Sequence, residues 1–132
     1  MTVIKKFSLV IAGAIIITLI STGCKTKIPA GDVDIYEKYS DEIAVLKNDK
    51  LKPNTQEKYE AAKTLAEDID FSFLRSVSTI DRIFSTKDAH IDNPNSINQL
   101  IIFYYQYGKN SVRFCFRRHN NSVTSSEVKI ND

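Results

Sequence analysis

The hydrophobic pattern of this chain changes period partway along, and that change limits the folds open to it. Residues 112–117 (VRFCFR) alternate strictly, with Val112, Phe114 and Phe116 on one face and Arg113, Cys115 and Arg117 on the other. Residues 100–107 (LIIFYYQY) are β-branched and aromatic, the composition of a strand. Residues 108–110 (GKN) and 119–122 (HNNS) read as turns, and residues 123–130 as a third, weaker strand. Upstream, Ile35, Tyr39, Ile43 and Leu46 recur at helical spacing, with Asp34 and Glu37 in a capping arrangement and the helix running to about Lys47. Residues 48–53 (NDKLKP) break that helix. Asn54 or Thr55 then caps a second one, with Glu57 in its first turn and Tyr59, Ala62, Leu65, Ala66 and Ile69 as its apolar stripe.

Between these halves, residues 70–77 (DFSFLRSV) fit either an extended piece or a continuing helix. Residues 78–81 (STID) offer another cap, followed by Ile80, Ile83 and Phe84 as a short apolar face. Residues 85–96 (STKDAHIDNPNS) are polar and turn-rich and read as a loop. The expected fold is α+β: N-terminal helices packed on a C-terminal three-stranded antiparallel sheet, after a cleaved signal peptide.

At 132 residues the chain has room for one domain, and 26% charged with 42% hydrophobic residues is ordinary globular composition. Of 18 basic residues, Lys5 and Lys6 lie in the leader, so the remaining 16 balance the 16 acids. A neutral domain lacks the positive surface on which non-specific nucleic-acid binding depends. Residues 24–95 carry 11 basic and 14 acidic residues, a net −3, whereas residues 96–132 carry 5 and 2, a net +3.

The first segment reads as an address. Lys5 and Lys6 precede residues 7–20 (FSLVIAGAIIITLI), which are almost unbroken apolar sequence. As a helix that stretch covers about 21 Å, short of the roughly 30 Å hydrocarbon core of a bilayer. A charged start, a short apolar middle and the small residues Ser21, Thr22 and Gly23 describe a secretory signal rather than a permanent span.

Cys24 follows at once, and here the chain resembles bacterial lipoproteins over residues 1–24. The resemblance implies a diacylglycerol thioether on Cys24, cleavage after Gly23 and acylation of the new amine. Lys25 stands where an Asp would resemble the signal for inner-membrane retention, so the resemblance points to the outer membrane. The expected organisation is residues 1–23 signal peptide, residues 24–31 (CKTKIPAG) lipid-anchored tether, and residues 32–132 a single domain.

Catalytic chemistry finds little footing. A serine or cysteine hydrolase needs a nucleophile, a base and an orienting group, and no G-x-S-x-G elbow surrounds any serine. His90 and Asp92 have the spacing of a base and its orienter, but they fall in the polar stretch. His90, His119 and a single internal cysteine do not make a zinc set, and only four glycines are present, too few for a phosphate loop. Cys115 shares a face with Arg113 and Arg117, which reads either as a thiolate favoured by two cations or as a small half-buried residue. Arg117 and Arg118 at a strand end read as a solvated pair or a contact for anionic headgroups.

A second resemblance covers residues 74–130. Residues 76–84 (SVSTIDRIF), Phe103-Tyr104-Tyr105, residues 112–116 (VRFCF) and residues 120–123 (NNSV) resemble the second helix, the aromatic first strand, and the second strand and turn of the SmpA/OmlA family. That family includes the small lipoprotein of the outer-membrane β-barrel assembly machinery, so the resemblance implies an α+β fold and an assembly role without catalysis.

The expected function is a lipid-anchored cell-envelope lipoprotein that binds or assembles protein at the periplasmic face of the outer membrane. It is expected to be no enzyme, to carry no metal or cofactor and to bind no nucleic acid. Its partners would be the membrane, through acylated Cys24, and an envelope protein held by Tyr104, Tyr107, Arg113 and Arg117. The alternative is an immunity or exclusion lipoprotein that neutralises a toxin or phage component.

Overall fold

The computed structural model describes residues 26–132. The signal sequence, its cleavage after Gly23 and the acylation of Cys24 lie outside the described residues.

The helical half opens with a short strand, β1 (Ile28–Pro29), followed by α1 (Asp34–Lys38) and α2 (Ser40–Leu46). The expected single helix is therefore two. The break falls at Tyr39, whose φ of −111° and ψ of 28° leave the helical region, although Tyr39 N still donates to Ile35 O and Ile43 N to Tyr39 O. Tyr39 is buried and its hydroxyl donates to Asp68 Oδ2 at 3.0 Å, tying the break to the next helix. Burial, then that bond, pushes its phenol up to about 12. The first cap also differs from expectation: Asp32 Oδ1, not Asp34, accepts from a backbone amide, that of Asp34, at 3.0 Å.

Helix α3 (Gln56–Asp68) starts where Thr55 caps it, its hydroxyl accepting from Lys58 N. Its buried stripe is Tyr59, Ala62, Leu65 and Ala66, with Ala61 and Lys58 beside it. The ambiguous stretch after it is neither simple strand nor helix. A two-residue strand β2 (Ile69–Asp70) runs parallel to β1, with Ile28 opposite Ile69, and a 3-10 turn (Phe71–Phe73) follows. Helix α4 (Val77–Ile83) is capped by Ser76, two residues before the serine the sequence suggested, with Ser76 Oγ accepting from Ser78 N.

The sheet has four antiparallel strands where three were expected: β3 (Ala89–Asp92), β4 (Asn98–Tyr107), β5 (Asn110–His119) and β6 (Ser122–Asn131), paired in that order. β3 lies inside the segment read as a loop. Only Ala89 in it is half-buried, the other three residues being exposed, so its composition carries no core signal. The three hairpin connections contain Asn93 at φ 59°, Gly108 at φ 65° and Asn120 at φ 56°, residue types that accept a left-handed backbone.

Helices and sheet meet in one apolar layer. Ile101, Phe103, Tyr105, Val112, Phe114 and Phe116 are buried on the inner face, opposite Tyr59, Leu65, Phe71 and Ile80 from the helical half. Phe84, at the end of α4, stacks on Phe103 with ring centroids 4.4 Å apart and lies 4.9 Å from Phe114, while Phe71 meets Phe114 edge-on at 5.2 Å. Offset and edge contacts of this kind add about 0.5–1.5 kcal/mol each to the burial of the rings.

The segment read as tether joins the fold earlier than expected. Ala30 is fully buried and its amide donates to Asp70 O at 3.0 Å, so packed structure begins at Ile28 rather than Asp32.

Candidate functional site

Strand alternation sets what the outer face of the sheet presents. Cross-strand rows run Asp92–Leu100–Arg117–Ser125, His90–Ile102–Cys115–Glu127 and Tyr104–Arg113–Lys129. All of these side chains point away from the buried layer, because the residues that alternate with them along the strands, Ile101, Phe103, Phe114 and Phe116, point into it. The result is a face of half-buried aliphatic residues (Leu100, Ile102) flanked by tyrosine and arginine.

Of the four candidate contact residues, the structure brings three together. Tyr104 is 46% exposed and directly opposite Arg113, and Arg117 lies on the same face of β5 four residues on. Such opposed pairs place their Cβ atoms about 4.5–5.5 Å apart. Tyr107 does not join them. Three residues from Tyr104, it has the parity of the buried Tyr105, and it is exposed because it stands at the hairpin end opposite Asn110.

Arg113 is held by Glu127 of the neighbouring β6, Nη2 to Oε1 3.7 Å, a pairing the sequence reading missed. Both side chains are largely solvated, so the pair contributes little to stability. Cys115 sits between the arginines. Burial pushes its thiol up, with Arg113 opposing and Glu127 reinforcing the shift, so desolvation prevails over the two cations. The thiol therefore lacks the low pKa that reactive cysteines carry.

His90 Nε2 and Asp92 Oδ1 do meet, at 3.0 Å, on the exposed edge strand β3. Ile102 on β4 stands between His90 and Cys115 in their shared row, and two strand spacings put the pair about 10 Å apart, beyond the reach of a base and its nucleophile. Among the described residues, no group of three or more His, Cys, Asp or Glu side chains is placed to hold a metal ion. No helix among them is long and apolar enough to cross a membrane.

The helical half hides an ion pair that no periodicity announces. Lys58 is fully buried and its Nζ lies 2.5 Å from Asp88 Oδ2. Nearby, Ser85 is buried and its hydroxyl donates to Asp49. Lys58 falls beside the apolar stripe of α3, and a lysine at such a position reads from sequence as solvated.

Comparison with known proteins adds no name to this geometry: no family model, no curated protein and no solved structure matches the chain.

Proposed function

We propose that the chain is a lipid-anchored protein of the bacterial cell envelope, facing the periplasm from the outer membrane, that acts by binding a protein partner. The observation that carries the binding half of this reading is the open outer face of the sheet. Tyr104, Arg113, Arg117 and the half-buried Leu100 and Ile102 form one mixed aromatic, aliphatic and cationic surface. Tyrosine and arginine are the residues that interfaces favour and that most often dominate their energetics. Among the described residues β3 pairs only with β4, so that edge of the sheet offers a side to an incoming strand. The anchoring half rests on the resemblance of residues 1–24 to lipoprotein signals and on Cys24 directly after Gly23.

Affinity capture from crosslinked native envelopes tests both halves, comparing the wild type with Cys24→Ser and Tyr104→Ala. The reading expects one recurrent envelope protein, lost with Cys24→Ser and recovered at least fivefold less with Tyr104→Ala. Equal membrane attachment of wild type and Cys24→Ser removes the anchor. Unchanged capture with Tyr104→Ala removes the sheet face.

A further inference from the structure

The strongest unassigned feature lies at the β4–β5–β6 corner. Pairing between β5 and β6 passes from Arg117 opposite Ser125 to Arg118 opposite Val123, which leaves Thr124 as the extra residue of a β-bulge. In a regular strand, consecutive residues point to opposite faces. Across this irregularity both Arg117 and Arg118 nevertheless line one pocket of about 280 Å3, together with Asn98, Gln99, Leu100 and Thr124.

The chemistry of that pocket is one-sided. No acid lines it, and neither arginine has a carboxylate within ion-pair distance among the described residues, whereas Arg113 on the same strand does. Arg118 is oriented by a single bond, Nε to Asn120 O at 2.7 Å, which leaves the two terminal nitrogens of its fork. His119 Nδ1 donates to Asn98 Oδ1 at 2.7 Å, so the Asn98 amide presents its N–H groups as further donors. Gln99 is held by its own bond to Pro94 O. The pocket thus gathers two arginines and an oriented amide with no carboxylate, its side-chain acceptors being neutral amide oxygens and the Thr124 hydroxyl.

We propose that this pocket binds a phosphate group. A carboxylate is satisfied by one guanidinium fork, while two forks match the charge and the several acceptor oxygens of a phosphate. The volume is below the roughly 300–1,000 Å3 of sites for drug-sized ligands, which suits a small anion or the head of a larger molecule. The phosphate is that of an anionic lipid headgroup or of a small soluble anion. The site requires neither the anchor nor the protein partner of the preceding section.

The test is an amide NMR titration of the full chain in an uncharged detergent, with inorganic phosphate, dihexanoyl phosphatidylglycerol and acetate as separate probes. Saturable shifts at residues 98–100, 117, 118 and 124 are expected with the phosphorus-containing probes. They should weaken at least tenfold in Arg117→Gln/Arg118→Gln and stay unchanged in the charge-matched Lys109→Gln/Lys129→Gln. Tighter binding of the lipid assigns the source to headgroups, and tighter or equal binding of inorganic phosphate assigns it to a soluble anion. Shifts that do not saturate, that acetate reproduces, or that survive the arginine substitutions in a chain whose spectrum remains folded overturn the proposal.

Discussion

Lys58 and Asp88 are the residues whose individual replacement has the clearest consequence. Among the described residues each is the other's only ion-pair partner, and their side chains are 0% and 5% exposed. Removing one leaves an uncompensated buried charge, a loss of about 3–5 kcal/mol, whereas replacing both with apolar residues of similar size is often neutral or stabilising. Chemical denaturation should therefore place Lys58→Ala about 3–5 kcal/mol below wild type and Lys58→Met/Asp88→Leu within about 1 kcal/mol of it or above. Asp70 makes a second prediction, on acid stability. The Ser72 hydroxyl, then the Ser72 amide, both bonded to its Oδ1, hold its carboxyl below the usual carboxylate range. A depressed folded-state pKa stabilises above the unfolded value and loses that contribution as pH falls through the folded one, so this one disappears below about pH 4. Asp70→Asn keeps the acceptor but not the charge, and its stability should fall less steeply than that of wild type between pH 4 and pH 2. None of this was legible in the sequence. A lysine inside a helix with polar neighbours reads as solvated, and its partner Asp88 lies 30 residues on, in the stretch read as loop.

At the level of elements, what buried side chains announce was legible, and what backbone pairing alone decides was not. β4, β5 and β6 place alternating apolar residues in the core, and their ends fall within two residues of where composition put them. β3 buries almost nothing, so only its pairing to β4 defines it, and its short alternation (Ala89-His90-Ile91-Asp92) was the one signal available. The bulge beside Arg117 and Arg118 lies in β6, where Thr124 is the extra residue, and has no mark in β5 itself. Phe84 shows how one residue joins elements. It ends α4, is fully buried, and contacts the rings of Phe71, Phe103, Phe114 and Phe116. Phe84→Ala should cost about 3–5 kcal/mol in denaturant unfolding, the range for a deleted core phenylalanine. In hydrogen exchange, the β3 amides should open well below the global unfolding free energy and those of β5, paired on both sides, near it.

For the whole molecule, the α+β order of helices before sheet follows from the change of period, and the surface that remains uncovered follows from the alternation. Of the four candidate contact residues read from sequence, Tyr104, Arg113 and Arg117 share that face by strand register and Tyr107 does not. The packing of residues 28–30 alters what an anchor would do. From Cys24 to Ile28 is four residues, at most about 14 Å fully extended, so on the proposed reading the domain is held close to the bilayer rather than on a long tether. A partner must then be met near the membrane surface, by the outer sheet face or the β3 edge. The most direct test of that account is a photocrosslinking amino acid introduced in living cells at position 104 or at position 107. The account predicts an adduct with one envelope protein from position 104 and little or none from position 107. Equal adducts from both positions, or none from position 104 in a folded and membrane-attached protein, would contradict it.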